Sequence, residues 1–246
     1  MSSRILHAGL HKTGSTYLQR CVFPKMKGIV YIHQHDFGRG PLLSGKSNKS
    51  ILFSSEAACG YPYPDTPIFS PERLLTNCVL LGIDKVLLVK RDFYDWILSL
   101  YFQTLNEGRT WQLNEFVKAN HAALKTWESA TEQAMQALDG RGVASLIIRQ
   151  EALLSDRDET IRQICDFIGC PAVEAVQESS NSTRCGTATI FAYRFLNRAY
   201  MNIICRALFR TIAKTPRKLI QRGRLGELTE RVSRRRLSSS DIKVLF

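Results

Sequence analysis

No apolar run in this chain approaches the roughly 18 residues that a membrane-spanning helix needs, so a membrane protein is not expected. The N-terminus enters a strand-like run almost at once, at Arg4, which leaves no room for a secretory signal peptide. Seven cysteines, Cys21, Cys59, Cys78, Cys165, Cys170, Cys185 and Cys205, form no C-x-x-C pair and no zinc spacing. An odd number in a chain of this size suits reduced thiols and a cytoplasmic location. His33 and His35 stand two apart without further ligands in a zinc pattern, so no metal is expected. There is no internal repeat. No aromatic residues interleave with the basic stretches, which argues against nucleic acid as a partner.

What is present is enough for one large folded unit: 246 residues, 44% of them hydrophobic, with a net charge of +12. That charge is concentrated. Residues from Asn202 to Phe246 carry twelve Lys/Arg against three Asp/Glu, while the rest of the chain is nearly balanced. We therefore expect a domain over residues 1–213 and a basic C-terminal tail over 214–246. The tail, with the arginines of a helix expected from Thr189 to Ala213, is a candidate for peripheral contact with an anionic membrane.

Apolar strands alternate with amphipathic helices along the domain. Strands are expected at Arg4–Ala8, Ile29–His33, Ser50–Ser54, Lys85–Val89 and Ala144–Arg149. Helices are expected at Ser15–Pro24, Pro71–Leu81, Phe93–Leu105, Leu113–Leu138 and Asp158–Ile168. This order predicts an α/β fold around a mainly parallel sheet of about five strands, covered on both faces. Gly38–Lys49 and Gly60–Pro71 read as loops and are candidate lids.

The most informative segment joins the first strand to the first helix: Gly9-Leu10-His11-Lys12-Thr13-Gly14-Ser15-Thr16, leading into Tyr17. A strand, a small-residue loop and a helix start in that order form an anion cradle. The glycines admit close approach, main-chain N–H groups converge, and the helix dipole adds about half a positive charge. Lys12 supplies a full one. The loop nearly fits the G-x-x-x-x-G-K-[ST] pattern of nucleotide triphosphatases, but Ser15 stands where that pattern has lysine. Farther along, the apolar run Lys85–Val89 ends at Lys90-Arg91-Asp92, and Ser99 lies eight residues beyond Arg91 in the helix that follows.

The K-T-G-S-T run followed by an aromatic, and the Arg91…Ser99…Tyr101 spacing, together resemble the sulfotransferases that use 3′-phosphoadenosine 5′-phosphosulfate. The flavour is closest to bacterial carbohydrate sulfotransferases. The resemblance implies a P-loop-NTPase-like three-layer α/β/α fold. It assigns the 5′-phosphosulfate to Lys12, Thr13, Gly14, Ser15 and Thr16, adenine stacking to Tyr17, and the 3′-phosphate to Arg91 and Ser99. It departs from the family pattern at Phe93, where proline is common, and at Gln150, where the family has a tyrosine that helps hold adenine. Arg184-Cys185-Gly186 matches the family's later phosphate loop only over three residues.

Ligands of open parallel sheets gather beyond the C-terminal ends of the strands. That rule brings Glu56, which follows the third strand, to the same edge as Lys12 and Arg91. The resemblance makes Glu56 the general base, as in the carbohydrate-sulfating branch. His33 and His35 are the alternatives, and pairing of Glu56 with Lys12 is its plainer role. His11 reads as a packing or hydrogen-bonding residue of the loop. The implied acceptor is a hydroxyl of a carbohydrate or glycolipid, and the implied reaction needs no metal. Two readings of other classes compete: a magnesium-dependent small-metabolite kinase, and a non-catalytic binder of anionic membrane or nucleic acid acting through the tail.

Overall fold

The computed structural model describes residues 2–34, 36, 49–60, 69–174 and 194. His35, Arg184-Cys185-Gly186, the expected helix from Thr189 apart from Arg194, the tail and most of both candidate lids lie outside these residues.

The chain divides into two compact units. The first comprises residues 1–92 and 122–178. Its sheet has five strands, β1 (Arg4–Gly9), β2 (Ile29–His33), β3 (Ser50–Ser55), β4 (Lys85–Lys90) and β5 (Ala144–Arg149), in the order β2-β3-β1-β4-β5. All four pairings are parallel, with Ala8 opposite Ser55 and Gly9 opposite Val89. Each strand ends within one residue of the sequence expectation.

Successive strand residues face opposite sides of a sheet. Ile5, Leu52, Leu87, Val89 and Ile148 share one apolar cluster with Leu18, Val22 and Phe23. The helices α5 (Gln150–Ser155) and α6 (Arg157–Ile168) add Leu153, Ile161, Ile164 and Ile168 to it. Leu6, Ala8, Val86 and Leu88, on the alternate positions, are also fully buried. Continuous apolar strands are what a sheet covered on both faces requires. Helix α2 (Pro71–Leu81) packs against β1. It starts at Ser70, whose hydroxyl accepts from the Arg73 amide, and stops at left-handed Gly82.

The expected first helix is less regular than its sequence suggests. One α-turn, α1 (Ser15–Tyr17), passes into a π-helical stretch over Leu18–Val22 and a 3-10 turn over Phe23–Lys25. Pro24 lacks the N–H that a continued α pattern would use. The short α5 was not foreseen. It follows β5 directly, and its N-cap, Arg149, makes no side-chain cap.

The second unit comprises residues 93–121 and 179–246. It holds α3 (Phe93–Asn106) and the head of α4 (Leu113–Asp139). Here the buried Tyr101 donates its hydroxyl hydrogen to Trp111 O at 3.0 Å, and Arg194 Nε donates to Thr110 O. Among the described residues no helix is long and apolar enough to cross a membrane.

One titratable side chain is fully buried inside the first unit's sheet. His7, on β1, is fully buried, with its Nδ1 2.7 Å from Ser54 Oγ and its ring edge-on to Phe23. Gln19 Nε2 donates to the same hydroxyl. Burial lowers the His7 pKa from 6.5 to about 4, although the Glu56 charge opposes this. The folded state thus prefers neutral imidazole. The stability this contributes is complete above the unfolded pKa near 6.5 and is lost as pH falls toward 4. Urea denaturation should show stability dropping by roughly 1.4 kcal/mol per pH unit between about pH 6 and 5. A flat profile there would contradict a neutral, buried His7.

Candidate active site

β1 occupies the centre of the sheet, and its C-terminal end runs straight into the glycine-containing loop. The loop is closed on itself: Thr13, fully buried, donates its hydroxyl hydrogen to Leu10 O at 2.6 Å. Lys12 has φ 66°, a left-handed conformation that side chains other than glycine rarely adopt, and Gly14 has φ 90°. Left-handed residues at alternating positions curl the main chain so that neighbouring N–H groups face one concavity, an anion nest. The first helical bonds run from Tyr17 N and Leu18 N to Gly14 O. The amides of Ser15 and Thr16 therefore belong to the orphan group at a helix start.

Two observations fit this cradle to an anion. Ser15 Oγ is buried and has no hydrogen-bond partner among the described residues. Gly9 is closed to any side chain, because a Cβ there would lie 2.1 Å from Ser15 Oγ and 3.2 Å from His7 Cε1. The Lys12 side chain is exposed.

The other strand ends deliver the remaining groups. Arg91, just past β4, donates from Nη1 to Lys12 O at 3.3 Å. This bond fixes the loop's main chain and sets a guanidinium beside it. The Asp92 amide donates to Glu151 Oε1 at 2.9 Å, tying the end of β4 to α5. Glu56, just past β3, pairs with His11, with Oε2 3.2 Å from Nδ1 and both side chains about one-fifth exposed. A carboxylate at that distance places the hydrogen on Nδ1. Burial pushes the Glu56 carboxyl up, but the hydrogen bond and charge of His11, with His7 and Lys12, outweigh it and hold it below the ordinary value. Since His7 is neutral near pH 7, His11 and Lys12 carry that effect. Glu56 is thus ionised at neutral pH and able to accept a proton, while less basic than an isolated carboxylate.

Lys12, Glu56 and Arg91 are therefore gathered at one edge of the sheet, with Thr13, Gly14, Ser15, Thr16 and Tyr17 in the loop and first turn. Ser99 lies on α3, in the second unit, and is half-buried. His33 ends β2 at the same edge as Glu56. Two residues given no site role from the sequence lie beside the loop and first turn. Gln150 lies against Gly14, with its Cγ 3.5 Å from where a Cβ of residue 14 would stand. Arg157 lies over the Tyr17 ring. Gln150 was within reach of the strand-end rule, since it follows β5; Arg157 had no such signal.

A five-stranded parallel sheet with helices and a phosphate-type loop after its central strand defines a P-loop-like α/β fold. Residues 84–174 match the model of the Sulfotransferase family, a stretch that includes Arg91, Ser99, Gln150 and Arg157 but not the loop. A sulfotransferase from Alicyclobacillus acidocaldarius has a similar structure, with a TM-score of 0.52 at 14% identity over 84% of this chain and 96% of that one. No curated protein matches the chain. The family match covers about a third of the chain, and the structural likeness shows a shared fold.

Gly9→Ala should destabilise the protein by about 1–3 kcal/mol through overpacking, read as a lower urea midpoint. Adding Ser15→Gly should recover part of that loss, because the two positions share one contact. A Gly9→Ala protein as stable as the parent would contradict the close approach at the loop.

Proposed function

We propose that the chain transfers a sulfuryl group from 3′-phosphoadenosine 5′-phosphosulfate to an acceptor hydroxyl. The observation that carries this reading is the loop itself: Lys12 in a left-handed turn at the end of the central strand, with Arg91 docked on its carbonyl. The buried Ser15 hydroxyl and the closed Gly9 position support an anion seated against Gly14, Ser15 and Thr16. When bound, the donor supplies the sulfuryl group and a stable bisphosphate leaving group.

The protein's part is positioning and charge stabilisation, as in phosphoryl transfer. Lys12 and the loop amides offset the charge that grows on the 5′-phosphate as its bond to sulfur breaks. Glu56 accepts the proton of the acceptor hydroxyl as the new oxygen–sulfur bond forms, a contribution of about 10²–10⁴-fold. Arg91 and Ser99 take the 3′-phosphate, a role supported by their eight-residue spacing in the sequence. Tyr17 takes the adenine, a role supported by its place directly after the K-T-G-S-T run. No step uses a metal.

The remaining assignments are supported by sequence. Residues 1–213 form the catalytic domain. The basic tail of 214–246 brings the chain to the inner face of an anionic membrane from the cytoplasm, supported by its charge excess. The acceptor is a carbohydrate or glycolipid hydroxyl, supported by a glutamate in the base position.

Calorimetry should show 3′,5′-adenosine bisphosphate binding at least tenfold more tightly than 5′-AMP, the effect of one additional charged hydrogen bond. Equal affinities would remove the 3′-phosphate clamp. Lys12→Ala should abolish transfer without altering the circular dichroism spectrum, and retained turnover would overturn its assigned role. Glu56→Gln should lower kcat by about 10²-fold or more with donor affinity little changed. An unchanged kcat would shift the base to His33 or His35.

A further inference from the structure

Gln150 opens α5, directly after the end of β5. Two contacts of that short helix fix where its first side chain stands. Glu151 accepts the Asp92 amide at the end of β4, and Leu153 is buried in the apolar cluster that also holds Leu18. Gln150 is thereby set along the loop. Its Nε2 and Cδ lie 3.7 and 3.8 Å from the point where a Cβ of residue 14 would stand.

The amide oxygen does nothing for the fold. Oε1 is buried and has no hydrogen-bond partner among the described residues, while Gln150 as a whole is half-buried. Burying a carbonyl without a partner destabilises a protein, so each such group in a native structure calls for an explanation other than stability. A second orphan stands beside Gly14: Ser15 Oγ, on a residue that is 1% exposed. The amides of Ser15 and Thr16 belong to the same turn and have no carbonyl within their own helix to bond. With its oxygen turned inward and unpaired, the Gln150 amide presents its nitrogen to this turn. A primary amide nitrogen donates two hydrogens and brings no charge. It can add hydrogen bonds to an anion's oxygens without adding a further cation to Lys12 and Arg91.

We propose that Gln150 is a further binding residue for the donor, its amide nitrogen donating to an oxygen of the 5′-phosphosulfate seated on Gly14, Ser15 and Thr16. This rests on the donor assignment above and adds to it a neutral hydrogen-bond donor from outside the loop. At the position where the family pattern has a tyrosine for adenine, this chain sets an amide on the anion instead.

The test is calorimetry on the full chain with 3′,5′-adenosine bisphosphate and with adenosine 3′-phosphate, which keeps the base and the 3′-phosphate but lacks the 5′ group. Gln150→Leu keeps much of the bulk and removes the amide. It should weaken the bisphosphate about tenfold, the effect of one hydrogen bond to a charged group, and leave adenosine 3′-phosphate unchanged. Its urea midpoint without ligand should equal or exceed that of the parent, because an unpaired buried carbonyl is gone. Gln150→Glu is nearly the same shape, keeps an acceptor and loses the donor, so it should weaken the bisphosphate more than Gln150→Leu does. Equal weakening of both probes by Gln150→Leu would place the amide on the base or the 3′-phosphate, or, with a lowered midpoint, in the fold alone. No weakening of either would place it outside the site. A Gln150→Glu chain that binds the bisphosphate as tightly as the parent would show that the amide serves as an acceptor. Each of these results overturns the proposal and leaves the donor assignment standing. Failure of the unaltered chain to bind the bisphosphate would defeat the donor assignment, and this role of Gln150 with it.

Discussion

Lys12 is held in a backbone conformation that costs an ordinary L-residue about 1–2 kcal/mol, and several neighbouring contacts keep it there. Thr13 closes the loop onto Leu10, Arg91 grips the Lys12 carbonyl, and Gly9 lets Ser15 approach within a distance no side chain would permit. If Lys12 relaxed to right-handed geometry, neighbouring N–H groups would no longer face a common centre, and the lysine would leave the strand end. The strain is local and the means of holding it come from two strands. Strain of this kind persists where the surrounding structure over-determines it.

The sheet supplies that surrounding structure. Because β1 is central, its end is flanked by the ends of β3 and β4, which bring Glu56 and Arg91 to either side of the loop. The charges there are balanced rather than uniformly positive. Glu56 is paired with His11, the residue directly before Lys12, so the group assigned to take a proton is tied to the loop proposed to hold the anion. That pairing fixes the carboxylate's position and lowers its basicity together. A base of this kind works when the hydroxyl it serves is already losing its proton as the bond to sulfur forms.

The five strands were legible because buried parallel strands read as continuous apolar runs: Val86 to Val89, fully buried in the structure, is such a run in the sequence. The loop was legible for a different reason. Glycines at fixed spacing between a strand and a helix have a direct geometric consequence, and Lys12, Glu56 and Arg91 follow from strand ends. What sequence alone left hidden needed three dimensions. Pairing with Lys12 was the plainer alternative for Glu56, yet His11 takes that place, and the Lys12 side chain is exposed. The π-helical stretch after Tyr17 follows a sequence that looks like an ordinary amphipathic helix. Arg157 belongs to a helix start whose pattern says nothing of Tyr17, because their proximity arises from packing of Leu153 and Ile161 on the same cluster as Leu18.

The claim on which the account turns is that the turn from Gly9 to Tyr17 is the seat of the donor's 5′ end. Amide chemical shifts of the isotopically labelled chain, followed during titration with 3′,5′-adenosine bisphosphate, test it residue by residue. The account predicts that the largest movements fall on the amides from Thr13 to Tyr17, with Arg91 among the next largest. Saturable binding that leaves those amides in place and moves a separate set would contradict it.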